Sequence, residues 1–140
     1  MTAQIHELLL LDEEWTSMAS EPPLPQGHPR VVVASQETQN AASPIIFSTA
    51  CWRRYRGTWL VGDGHLSLIA IEGRYELTGQ GPLPAEWVAA VLNVPRGKML
   101  EYVHMGYASV FEEELHITVE RGVVTGRRVV DNRGRVLNKK

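Results

Sequence analysis

The sequence holds one cysteine, Cys51, among its 140 residues. A single thiol excludes an intrachain disulfide, so nothing in the covalent chemistry marks an oxidising compartment. Long apolar runs are missing as well. Leu8 to Leu11 is only four residues long and sits between Glu7 and Asp12, whereas a membrane-spanning helix needs roughly 20 apolar residues. The N-terminus lacks the basic start and small-residue cleavage site of a secretory signal, and no N-x-S/T sequon occurs. These absences predict a soluble, cytoplasmic protein with no membrane partner. Charge of one sign is also lacking. Fourteen Lys and Arg stand against sixteen Asp and Glu, for a net charge of -2. A balance of this kind gives no broad basic footprint for nucleic acid and no attraction to anionic lipid.

Complete catalytic or cofactor motifs are absent too. The five histidines (His6, His28, His65, His104 and His116) show neither H-E-x-x-H nor paired C-x-x-C spacing, so no metal is predicted. Gly62-Asp63-Gly64 is followed by a strand pattern where a dinucleotide fingerprint requires a helix. There is no phosphate-binding P-loop around Gly97-Lys98 and no G-x-S-x-G nucleophile elbow. No cofactor is expected.

What is present is a chain that is 44% hydrophobic and 21% charged. At this length it suits one domain, residues 1–140, that buries roughly two-thirds of its unfolded surface. Pro22, Pro23, Pro25, Gly27 and Pro29 make 21–30 a loop. Val31–Val33 read as a short strand and 35–44 as a surface loop with a helical turn. Residues 50–61 and 65–72 form a hairpin about Asp63-Gly64. Leu66, Leu68 and Ala70 are expected on one face of the second strand, and Ile69 and Ile71 on the other. Residues 73–86 read as a second loop in which Tyr75 to Leu77 pair briefly. Residues 87–94 and 98–104 read as a hairpin turning at Pro95-Arg96-Gly97. Leu115, Ile117 and Val119 alternate with polar residues, which is the period of a half-buried strand. Arg121-Gly122 turns the chain back, with Arg127 and Arg128 placed to pair with glutamates across strands. Residues near 134–140 form a polar tail expected to fray.

The sum is a mainly β domain, an antiparallel sandwich or barrel of about seven to eight strands. An α+β fold is the alternative if 5–18 or 84–94 is helical. A valine-rich edge strand would allow a homodimer.

Two blocks of residues resemble a small bacterial family. The first is Ser48-Thr49-Ala50-x-Trp52-Arg53-x-Tyr55 followed by Gly57-Thr58-Trp59. The second is Trp87 and Pro95-x-Gly97-x-x-Leu100-x-Tyr102-Val103-His104-Met105-Gly106-Tyr107-x-Ser109, with Glu112 and Glu114-Leu115 after it and Asp131-Asn132-Arg133-Gly134 near the end. The likeness covers roughly 45–134. It implies a bacterial cytoplasmic protein and brings no activity, cofactor or substrate.

Two constellations carry possible chemistry. Tyr102, His104 and Tyr107 precede Glu112 and Glu114, and a carboxylate beside a histidine can set its tautomer for acid–base work. The plainer reading is a set of amphipathic strand residues. Trp52-Arg53-Arg54-Tyr55-Arg56 interleaves cations with aromatics, as a stacking surface does. Strand alternation would split that patch, so a small anionic ligand suits it better than nucleic acid. Glu113 shares parity with Leu115, Ile117 and Val119, which requires either a bulge near 112–113 or a partner such as Arg53. The expected function is a binding or interaction module for a protein or a small anionic ligand, using Trp52, Arg53, Tyr55, Tyr102, His104, Tyr107, Glu112 and Glu114. The alternative is a small enzyme with His104 as general acid or base and a nearby glutamate.

Overall fold

The computed structural model describes residues 4–101 and 110–132. The order is β1 (Glu7–Leu11), β2 (Glu14–Met18), β3 (Val31–Val33), α1 (Gln36–Ala41), a 3-10 turn (Pro44–Phe47), β4 (Tyr55–Gly62), β5 (His65–Gly73), β6 (Tyr75–Leu77), β7 (Leu83–Pro84), β8 (Ala90–Glu101), β9 (Val110–Glu120) and β10 (Val123–Asp131). The fold is mainly β. Eight strands make one sheet in the order β2-β1-β4-β5-β10-β9-β8, with β7 alongside β5, and β3 pairs β6 in a second small sheet. Neither 5–18 nor 84–94 is helical. The polar tail at 134–140 lies outside the described residues.

Three hairpins turn on two residues with positive φ at both positions, the geometry that matches strand twist. Asp63-Gly64 (φ 52° and 76°) joins β4 to β5, and Arg121-Gly122 (φ 50° and 78°) joins β9 to β10. Asp12-Glu13 (φ 48° and 71°) joins β1 to β2. The sheet is mixed, not antiparallel throughout, because β1 runs parallel to β4 with Leu8 opposite Thr58 and Leu11 opposite Val61. A parallel pair needs a long crossover, and here residues 12–54 supply it.

The hairpin of β4 and β5 carries a bulge. Thr58 faces Ala70 while Trp59 faces Leu68, which leaves Ile69 without a partner. The extra residue shifts the parity. Leu66 and Leu68 are buried, but Ala70 is exposed and Ile71 packs on the core in its place. The expected turn at Pro95-Arg96-Gly97 is not one; β8 runs through it. Asn93 directs its N–H to Ser20 Oγ and its C=O to Ala19, away from β9. Pro95 shares that parity, so its missing N–H removes no bond to β9. Gly97 (φ 79°) instead sits in a bulge, where Arg96 faces Glu113 and Met99 faces Phe111. The bulge expected near 112–113 is not found on β9, which pairs in regular register from Glu113 to Val119; Glu113 keeps the parity of Leu115, is half-buried and stands opposite Arg96.

Leu115, Ile117 and Val119 are buried as their alternation requires. Arg127 reaches Asp12 (2.5 and 3.2 Å) rather than a glutamate, and Arg128 stands opposite His116. β10 meets β5 only at Val123 opposite His65. Beyond that point the sheet folds on itself. Leu9, Met18, Trp59, Val61 and Leu68 from one limb and Leu92, Val94, Leu115 and Ile117 from the other form one core. At the far ends, Ala19 N–H bonds the Asn93 carbonyl at 2.7 Å, but no ladder joins β2 to β8. The sheet is not closed into a barrel.

Candidate functional site

β4 turns Gly57, Trp59 and Val61 inward, and β1 beside it turns Glu7, Leu9 and Leu11 inward. Glu7 is therefore a wholly buried carboxylate at 0% exposure. Burial of an unpaired charge is costly, and this one is surrounded by donors. Arg53 Nη2 lies 2.7 Å from Oε2, the Gly57 N–H donates to Oε2 at 2.8 Å and the Trp59 indole N–H to Oε1 at 3.3 Å. Residue 57 is glycine for a reason of space, because a Cβ there would stand 2.8 Å from Glu7 Oε1. Burial pushes the Glu7 carboxyl above the usual carboxylate range, and the Arg53 charge with these hydrogen bonds pulls it only part of the way back. Arg53 also donates to the Ile5 carbonyl (3.2 Å) and reaches Glu21 (3.4 Å).

Arg53 does not lie on a strand, since β4 begins at Tyr55. The preceding turn places its guanidinium behind Tyr55, 5.8 Å from the ring centroid. Tyr55 stands opposite Gly73, and Tyr75 follows two residues later on β6. Their rings meet edge to face at 5.7 Å and 80°, an arrangement favoured by the ring quadrupoles. The Arg74 guanidinium lies 5.9 Å from the Tyr75 ring. With Val31 and Val33, these tyrosines form one wall of a cleft of about 480 Å³; residues 23–27 form the other. The proline loop is held from both sides. Arg30 donates to the carbonyls of Thr78 (2.7 Å) and Gly81 (2.6 Å), and the Trp87 indole N–H donates to the Pro23 carbonyl (2.5 Å). Burial first, and the Glu7 charge second, push the Tyr55 phenol up to about 12. It therefore keeps its proton at neutral pH.

Of the residues singled out from the sequence, Arg53 and Tyr55 come together at this site. Trp52 is 53% exposed and does not line the cleft; its backbone N–H donates to Gln4 Oε1 at 2.7 Å. Tyr102, His104 and Tyr107 lie outside the described residues. Arg53 meets Glu7 and not Glu113. Glu7, Tyr75, Trp87 and the proline loop were not marked by sequence reasoning. The signal for Glu7 was its shared parity with Leu9 and Leu11.

Glu114 belongs to a separate cluster on β9. Asn93 Nδ2 (2.6 Å), Asn132 Nδ2 (2.5 Å) and His116 Nε2 (3.3 Å) all contact its carboxylate, and the Glu112 carbonyl accepts the Asn132 N–H at 2.9 Å. Burial raises the Glu114 pKa, but the bonds from Asn132, His116 and Asn93 together outweigh it and hold the carboxyl below its ordinary value. A carboxyl depressed in the folded state adds stability above its unfolded pKa, and that stability is lost as pH falls through the folded pKa. Glu114→Gln is therefore expected to lose less melting temperature than wild type between pH 5 and pH 3. Equal losses in thermal scans would refute this. Among the described residues, no three His, Cys, Asp or Glu side chains converge as a metal site needs, and no helix is long and apolar enough to cross a membrane.

Compared with known proteins, the chain matches no family model, no curated protein and no solved structure.

Proposed function

We propose that this chain is a binding module whose recognition site is the cleft between the Tyr55–Tyr75 pair and the proline loop. One observation carries the reading: two half-buried aromatic rings and two valines face a proline wall across about 480 Å³. That volume and lining fall within the range of ligand sites, which are apolar with a few polar groups that fix orientation. Arg53 is neutralised by Glu7 and Arg30 is committed to loop carbonyls. An apolar ligand therefore suits the cleft better than the anion suggested by the arginines in the sequence. Bacterial origin and cytoplasmic residence belong to the same reading, supported by the two sequence blocks and by a lone, buried Cys51.

The test is a titration of the isotope-labelled protein with small aromatic fragments. Amide shifts are expected to centre on Val33, Tyr55 and Tyr75. Tyr75→Ala is expected to weaken binding about tenfold, equivalent to about 1.4 kcal/mol. Shifts centred elsewhere, or an unchanged affinity in Tyr75→Ala, would overturn the assignment.

A further inference from the structure

We infer that the cleft takes an extended, proline-rich segment of a partner protein, an inference that rests on the cleft being the binding site. The surface beside it already holds a proline-rich segment of this chain. Pro22-Pro23-Leu24-Pro25 repeats proline at the spacing P-x-x-P. Pro22 is buried, Leu24 packs on the core, and the Trp87 indole N–H caps the Pro23 carbonyl. An indole donor at a carbonyl of a proline run, with aromatic rings beside it, is the chemistry by which aromatic-lined grooves hold such segments. Here the chain uses that chemistry on itself, and the open cleft continues from the same loop.

The polar character of the cleft agrees. Proline presents a carbonyl and no N–H, and an extended polyproline helix makes no internal hydrogen bonds. Such a segment offers acceptors and needs donors. The phenol hydroxyls of Tyr55 and Tyr75 have no protein hydrogen-bond partner among the described residues. Each is a donor, and Tyr55 keeps its proton at neutral pH. The Tyr55 and Tyr75 rings stand nearly perpendicular to each other and both line the cleft, and aromatic-lined grooves are the surfaces on which proline rings dock. A proline-rich segment is also stiff before it binds, so a shallow cleft loses little affinity to ordering it. Arg53 and Arg30 offer an acidic segment little, because both are already engaged.

The experiment titrates the full chain with an uncharged ten-residue peptide holding two P-x-x-P repeats, against the same peptide with alanine at every proline. Calorimetry gives the affinity and amide shifts give the site. The proline peptide is expected to shift Gln26, Val33 and Tyr75 and to bind at least tenfold tighter than the alanine peptide. Tyr75→Phe, which keeps the ring and removes the donor, is expected to weaken it about fivefold. Equal affinity for the two peptides overturns the inference. So does failure of the proline peptide while aromatic fragments still bind the cleft; that result leaves the site assignment standing, whereas failure of both probes removes the site as well. If sedimentation shows a dimer that Tyr75→Ala dissociates, the occupant is the proline loop of a second copy and not a partner's.

Discussion

Glu7→Leu is expected to destabilise the fold by about 3–5 kcal/mol, the usual cost of removing one member of a buried ion pair. The leucine would fit the apolar face of β1 beside Leu9, and its hydrophobicity is not the difficulty. The loss comes from what is left behind: a guanidinium whose side chain is 7% exposed, a Gly57 N–H and a Trp59 indole N–H, all directed at one absent carboxylate. Arg53→Met should cost a similar amount at pH 8, with a different pH dependence. Without the guanidinium, the Glu7 carboxyl rises further above its unfolded value. A raised folded pKa gives stability that is full below the unfolded pKa and is lost as pH rises through the folded one. The gap between Arg53→Met and wild type should therefore narrow from pH 8 to pH 5. The double variant should lose less than the two single losses added together, since neither charge is then stranded. Urea unfolding at the two pH values measures all three. A Glu7→Leu protein as stable as wild type would show that the carboxylate is not the organising group of the site.

Much of the fold was legible where a local signal had one meaning. Asp63-Gly64 and Arg121-Gly122 each put glycine at a position of positive φ between apolar runs, and both are hairpins. The alternation of Leu115, Ile117 and Val119 placed β9 correctly. Asp12-Glu13 makes the same kind of turn without glycine. It gave no signal because the cost of two side chains at positive φ is met by pairing along all of β1 and β2. Pro95-Arg96-Gly97 gave a false one. A proline is excluded from a strand only if its N–H is needed, and at Pro95 it faces away from β9. The misplacement of Ala70 has a comparable origin, because one unpaired residue at Ile69 reverses every later side chain.

The site was less legible because its contacts span the chain. Glu7 and Arg53 are 46 residues apart, and neither shows its partner in its own neighbourhood. Alternation assigned Arg53 to a strand face, yet a turn at Trp52–Arg54 sets its direction. Tyr55 was found because aromatic and basic residues cluster around it. Tyr75 lies in a stretch rich in glycine and proline that reads as loop, and it comes beside Tyr55 because Gly73, two residues before it, pairs with Tyr55. The prolines of 22–29 announce a loop, but nothing local says that the loop is a wall.

Gly73→Ala is expected to cost about 2–5 kcal/mol, combining left-handed backbone strain with overpacking. Gly73 has φ 111°, which side chains with a Cβ rarely adopt. An added Cβ would also stand 2.6 Å from both the Arg54 carbonyl oxygen and Ile46 Cγ2, and 3.1 Å from the Tyr55 Cα. Two of these three neighbours are backbone and cannot swing aside. Relief requires β4 and β5 to separate at Tyr55, where the Arg74 N–H bonds the Arg54 carbonyl at 2.9 Å. That movement would carry Tyr55 away from Tyr75 and open the edge-to-face pair. Loss of stability should therefore come with loss of ligand binding measured well below the melting temperature. Gly62→Ala is the control: it lies on the same hairpin, has no atom within 4 Å of its added Cβ, and does not hold a left-handed φ. It should melt within a few degrees of wild type and bind normally. If Gly73→Ala is equally mild, the close approach of β5 to Tyr55 does not set the position of that ring, and the cleft must owe its shape to the proline loop alone.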